Sequence, residues 1–133
     1  MKDTKKVVVG LVKNGEGKYL LIKPDPKYKD FGDMRDAWYP PSGHVKENET
    51  LKEALTREIE EELGVGILEA NIISDWPQDV PGETGFWWNV AIKDTKIKTN
   101  KEILEWKYFS KEEIKDLKLW PAERKFFEKF IWK

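Results

Sequence analysis

The chain has 133 residues, 37% of them charged, yet its formal net charge is only -1. That length holds one domain around one core, taken here as residues 1–133. The near balance of charge excludes a global basic field that would draw the chain to nucleic acid or anionic lipid.

There is no cysteine, so disulfides, thiolate nucleophiles and Cys-ligated zinc are excluded. One histidine, His44, rules out a cluster of histidine metal ligands. The opening MKDTKK is charged and leads straight into a strand-like run. It lacks the apolar core of a signal peptide, and no segment approaches membrane-spanning length, so the expected location is cytoplasmic.

Residues 6–13 (KVVVGLVK) are β-branched and apolar, which predicts a buried strand. Gly10 inside it predicts a bulge or a close backbone approach. A turn-rich break at 14–17 precedes a second apolar run at 19–23, so the two strands are expected to form a hairpin. Residues 24–37 form a long polar loop, a length that favours a binding role. Lys23, just before it, and Lys27, Lys29 and Arg35 within it are candidates to meet an anionic substrate, with a solvated surface as the alternative for each.

A short strand is expected over 38–41. The next segment, GHVKENETLKEALTREIEEELGV, organises the rest. Leu51, Leu55, Ile59 and Leu63 recur every fourth residue, and Ala54 widens the stripe, predicting an amphipathic helix with one face in the core. Asn48 or Thr50 suits its N-cap, and Gly64 suits the left-handed position past its end.

The other face breaks a local rule. Glu58, Glu61 and Glu62 are close neighbours at i, i+3 and i+4, Glu60 adds a further charge, and all lie where the helix dipole disfavours anions. Such conflicts mark functional sites. A hard divalent cation with oxygen ligands would relieve this one.

Beyond the helix, strands are expected over 66–75, 86–93 and 103–110, separated by loops at 76–85 and 94–102. In the second strand Phe86, Trp88, Val90 and Ile92 share one face and Trp87, Asn89 and Ala91 the other. Ser110 with Glu113 has the form of a capping box opening a short helix. Pro121 suits the first turn of a last helix, whose Phe126, Phe127, Phe130 and Ile131 form an apolar face. The terminal helix or the Phe86 strand offers a surface for a homodimer.

Gly43, Glu49, Arg57, Glu58, Ile59, Glu61, Glu62, Gly64 and Val65 match the pattern G-x5-E-x7-R-E-U-x-E-E-x-G-U, with U aliphatic. In this the chain resembles the Nudix hydrolase family. It departs just upstream, where Ser42 stands in place of a glycine. The resemblance implies an α/β fold, an α/β/α sandwich with a central mixed sheet. It implies Mg²⁺ or Mn²⁺ held by the Gly43 carbonyl and by Glu58, Glu61 and Glu62. It also implies that Arg57 pairs with Glu49 to anchor the loop.

The candidate catalytic set is Glu58, Glu61 and Arg57, with Glu102 ranked ahead of Glu83 and Glu105 as a carboxylate outside the pattern. Arg35, Lys23 and Trp88 are the candidates for binding substrate, Trp88 by stacking on a base. For both Trp87 and Trp88, core packing stands as the alternative role, as solvent exposure or core packing does for His44 beside a phosphate contact.

The implied reaction is metal-dependent hydrolysis of the diphosphate linkage in a nucleoside diphosphate-X. A MutT-like nucleoside triphosphate pyrophosphohydrolase is the first expectation. An ADP-ribose or dinucleoside polyphosphate hydrolase and a non-catalytic nucleotide sensor are the alternatives. The partner is then a small nucleotide rather than nucleic acid or membrane.

Overall fold

The computed structural model describes residues 5–93 and 96–133. Its first strand, β1 (Lys5–Val12), is buried on both faces from Val7 onward. It is flanked on one side by β3 (Ser42–His44), antiparallel, and on the other by β5 (Glu83–Ile92), parallel. β4 (Ile67–Pro77) completes a four-stranded mixed sheet in the order β3-β1-β5-β4. β2 (Tyr19–Pro24) and β6 (Ile103–Phe109) form a separate antiparallel pair.

The expected hairpin of β1 and β2 does not form. The turn is present, with the Asn14 N–H donating to the Lys18 carbonyl and Asn14 Oδ1 accepting from the N–H groups of Glu16 and Lys18. Only a Lys13–Tyr19 bridge joins the two strands beyond it. The reason is competition for edges. β3 and β5 already occupy both sides of β1, so β2 finds its backbone partners in β6.

The strand expected over 38–41 is displaced to Ser42–His44. Pro40 and Pro41 have no N–H to give to a ladder. Trp38 and Tyr39 therefore make only isolated bridges, to Leu119 and Ile22. β4 and β5 extend further toward each other than expected, to Pro77 and from Glu83, which shortens the loop between them. Of the polar loop expected over 94–102, residues 94 and 95 lie outside the described residues, as do residues 1–4 of the opening segment.

α1 (Leu51–Leu63) starts at Thr50, whose side chain accepts from the Glu53 N–H while Glu53 accepts from the Thr50 N–H. Such a box contributes about 1 kcal/mol. Gly64 closes the helix at φ 68°. α1 lays Leu55, Ile59 and Leu63 on Val8, Val12 and Val90. The close approach expected at Gly10 is real: a Cβ there would lie 3.2 Å from Ile59 Cδ1.

The opposite face of the sheet carries α3 (Pro121–Phe130), with Phe126 and Phe127 against Val7, Val9, Leu11 and Trp87. The Trp87 and Phe126 rings stack at 3.8 Å between centroids. Each such fully buried side chain contributes about 1.5–3 kcal/mol. The short α2 (Lys111–Ile114) begins with the expected Ser110–Glu113 capping box. The architecture is thus a mixed sheet between helices, an α/β/α sandwich. No helix among the described residues is long and apolar enough to cross a membrane.

Candidate active site

The acidic face of α1 does not point uniformly into water. Glu60 and Glu61 are exposed, whereas Glu62 keeps only 5% of its surface and the Glu58 side chain is largely buried. The helix turns them toward β3. The Ser42 backbone N–H donates to Glu62 Oε1 at 3.0 Å. The Glu58 carboxyl lies on Gly43 so closely that a Cβ at that position would fall 2.0 Å from Glu58 Cδ. Gly43 is thus required by contact, because any side chain would displace the carboxylate.

Burial sets the electrostatics. Removal from water, reinforced by the Glu58 charge, pushes Glu62 up to about 8; the Lys29 charge and the Ser42 N–H oppose it. Glu58 is also raised by burial, against the pull of Arg57.

Arg57 binds the cluster together. Its Nε and Nη2 reach the two Glu49 oxygens at 2.7 and 3.0 Å, and Nη2 also donates to the His44 carbonyl at 3.0 Å. Nη1 donates to Glu58 Oε1 at 2.7 Å and to Glu61 Oε2 at 3.4 Å. The guanidinium, with the Lys46 N–H, holds Glu49 down to about 2. One planar cation thereby fixes the loop before α1 to the helix and orients two acidic side chains, a task suited to the rigid fork of arginine.

Among the described residues, no three His, Asp or Glu side chains are drawn close enough to form a ready-made metal cage. The donors nonetheless suit a hard divalent cation. Glu58 and Glu62 are withdrawn from water with less positive charge than they need. Glu61 stands one turn away, and the Gly43 backbone lies against Glu58. A few carboxylates with room for waters and phosphate oxygens is the ligation magnesium favours.

Two cavities meet along β3. The first, about 380 Å³, is the carboxylate cleft, lined by Glu58, Glu61 and Glu62 with Lys29, Asn100 and Glu102. The second, about 320 Å³, lies between β3 and the start of α3, among Phe31, Tyr39, Gln78, Asp79, Trp120 and Glu123. Lys29, Ser42, Gly43 and His44 line both.

Phe31 stands edge-on to Trp120 and Tyr39, with ring centroids 5.7 and 6.0 Å apart. Sealed within this aromatic wall are Tyr39 OH, Gln78 Oε1 and Glu123 Oε1, none with a hydrogen-bond partner. Among the described residues Trp87 Nε1 and Trp88 Nε1, which do not line this cavity, are sealed and unpaired in the same way.

The structure gathers Gly43, Arg57, Glu58, Glu61, Glu62 and Glu102 at the first cavity, Glu102 across the cleft with Oε1 3.8 Å from Lys29 Nζ. Lys23, Arg35 and Trp88 line neither cavity. Lys23 lies over the Trp38 ring at 4.7 Å, Arg35 bonds the Gly32 carbonyl, and Trp88 packs toward α1. Glu105 is exposed on β6. Glu83 instead meets His44, Oε2 to Nε2 at 2.6 Å, on the second cavity.

Sequence reasoning did not find Tyr39, Trp120 or Glu123. Glu123 occupies the third position of a helix, where a glutamate reads as a cap. Nothing local told that it faces a cavity.

A sequence model of the NUDIX domain matches residues 3–130. The phosphatase NudJ of Escherichia coli strain K12 is 32% identical over 80 residues, covering 60% of this chain and 48% of NudJ. The chain thus spans about half the length of that curated relative. Among solved structures, the MutT protein of Methanosarcina mazei Go1 superposes with a TM-score of 0.77 at 25% identity, covering 97% of this chain and 94% of that one. The ORF135 protein of E. coli superposes at 0.74 with 24% identity over 97% and 89%, a likeness of fold alone.

Proposed function

The chain belongs to the Nudix hydrolase family, and we propose that it hydrolyses the diphosphate linkage of a small nucleotide, acting first on nucleoside triphosphates. The observation that carries this reading is the pair of sunken carboxylates, Glu58 and Glu62, facing the Gly43 backbone beside a cavity of aromatic residues. A purely structural helix has no use for acids kept from water without full compensation.

Glu58, Glu61, Glu62 and the Gly43 carbonyl are the residues that would hold Mg²⁺ or Mn²⁺. When bound, such a cation would neutralise phosphoryl oxygens and lower the pKa of a water so that hydroxide is available near neutral pH. The chain's own groups supply the rest. Arg57 keeps Glu58 and Glu61 in position. Glu61 is the most exposed of the three signature acids, at 51% for its side chain, and faces the cleft, so it suits the proton acceptor for the attacking water. Glu102 is the second candidate for that role.

Lys29, on both cavities, suits the phosphate chain as it passes from one to the other. The water oxygen bonds to phosphorus as the bridging P–O bond breaks, and its proton passes to the carboxylate. The leaving group keeps the bridging oxygen. The base sits in the second cavity, so a nucleoside triphosphate would leave as monophosphate and pyrophosphate.

Turnover of a nucleotide panel with Mg²⁺, with and without chelator, tests the reading. Metal-dependent release of phosphate or pyrophosphate is expected. A panel hydrolysed equally well in excess chelator, or not at all, removes it.

A further inference from the structure

The two cavities meet over β3, and that strand shows each of them a different face. Gly43 lies toward α1, where Glu58 occupies the space a side chain would take. Its neighbours alternate with it. Ser42 and His44 pair with Val9 and Val7, which belong to the core on the α3 side, so their side chains point toward the second cavity. Glu83, the first residue of β5, joins them there.

His44 and Glu83 are in close contact, 2.6 Å from Nε2 to Oε2. A carboxylate accepts and does not donate, so Nε2 carries the hydrogen of this bond. The bond steadies the carboxylate and leaves its other oxygen open. Among the described residues, neither Glu83 Oε1 nor Ser42 Oγ has a hydrogen-bond partner. The Glu83 side chain keeps only 12% of its surface, so its open oxygen is offered to the cavity rather than to bulk water. Ser42 stands where the family pattern has glycine, so its hydroxyl is an addition of this chain.

Position decides what this polar row meets. Ser42 and His44 line both cavities. With the phosphate chain over the carboxylate cleft and the base among aromatic rings, the group above the junction is the pentose. The chemistry agrees. A phosphate would be repelled by Glu83, whereas a sugar hydroxyl supplies the donor that a free carboxylate oxygen takes. Ribose offers two adjacent hydroxyls and 2′-deoxyribose only one.

We infer that Ser42, His44 and Glu83 form a sugar site, in which Glu83 Oε1 accepts from the 2′-hydroxyl and the protein prefers ribonucleotides to 2′-deoxyribonucleotides. His44 holds the carboxylate in place, and Ser42 Oγ is a second partner for the sugar. The inference rests on the proposed function for the order of phosphate, sugar and base along β3.

The test is equilibrium binding of AMP, GMP, CMP and UMP and of their 2′-deoxy forms, followed by indole fluorescence without metal, so it needs no turnover. For each base that binds, the ribonucleotide is expected to bind about tenfold more tightly, the scale of one hydrogen bond to a charged group. Glu83→Ala should bring the two forms within about twofold of each other, by weakening the ribonucleotide. Glu83→Gln keeps the size and offers a neutral oxygen, and should lower the preference by at least about threefold.

Equal binding of the two forms for every base, no binding of any, a preference for the deoxy form, or a preference undiminished in Glu83→Ala overturns the inference. Should the alanine variant not fold, the glutamine variant decides, and an undiminished preference there overturns it. A protein that separates AMP from 2′-deoxyAMP yet hydrolyses no nucleotide would sink the hydrolase reading and leave this one standing. A metal-dependent hydrolase blind to the sugar would do the reverse.

Discussion

The two cavities on either side of β3 handle buried polarity in opposite ways. The cleft beside α1 crowds Glu58, Glu61 and Glu62 together and restrains them with Arg57, leaving negative charge in excess. The cavity beside α3 is walled by Phe31, Tyr39 and Trp120, with sealed, unpaired polar atoms of Tyr39, Gln78 and Glu123 in its walls. The first fits a cation and a phosphate chain, which are matched by charge. The second fits a flat apolar group with a polar rim, which is matched by shape and by donors and acceptors. On the proposed function, chemistry and nucleoside binding would lie on different sides of β3, and substitutions on the two sides should fail differently.

The largest effect is expected at the charged side. Glu62→Gln removes a charge proposed to hold the metal and should lower kcat by about 10²–10³, measured with the best nucleotide at saturating Mg²⁺. The metal-free protein should be no less stable near neutral pH, since glutamine spares the folded chain the cost of protonating a sunken carboxylate. Undiminished turnover would erase the contrast between the cavities.

Trp120→Ala on the other side should act mainly through KM, raising it about tenfold or more for loss of one stacked ring, with kcat changed much less. A kcat loss equal to that of Glu62→Gln would show that the sides are not separable.

Gly43→Ala is a finer probe, because the three atoms nearest the new methyl all belong to the flexible end of Glu58. Activity should fall about tenfold or more while thermal stability changes by less than about 1 kcal/mol. A large loss of stability would mean that the glycine serves the strand rather than the carboxylate.

The smallest expected effects are on pH dependence without metal. Glu62 sits at about 8 in the folded chain, above its ordinary 4.5. The folded state therefore holds a proton that the unfolded state releases, and stability should decline as pH rises from about 4.5 to 8. Mg²⁺ added near pH 7 should reverse part of that decline and release protons, detectable by calorimetry in buffers of different ionisation enthalpy. Glu49, held down to about 2 by Arg57, works the other way. Its contribution is present above pH 4.5 and is lost as pH falls toward 2. Acid titration of Arg57→Met should lack that component.

The same contrast explains what the amino-acid sequence discloses. The acidic side is legible because Arg57, Glu58, Glu61 and Glu62 share one helix, where spacing along the chain is geometry in space. The aromatic side is assembled from Phe31, Tyr39, Gln78, Trp120 and Glu123 on separate segments, and each has an ordinary local reading. Lys23, Arg35 and Trp88 have the right chemistry for a nucleotide, but backbone direction takes them elsewhere. The α/β order was legible from apolar periodicity. The split of β1 from β2 was not, because it is decided by β3 and β5, which compete for the same edges from far along the chain.

The parallel register of β1 with β5, Val8 beside Phe86 and Val12 beside Val90, bears on how the molecule comes into being. Parallel neighbours require a long loop to close first, and such long-range pairing is slow to form. That loop contains β3 and all of α1. During synthesis, the whole acidic signature therefore emerges from the ribosome before the strand that completes the floor beneath it. A nascent chain halted before β5 would carry the family pattern intact and still have no working site.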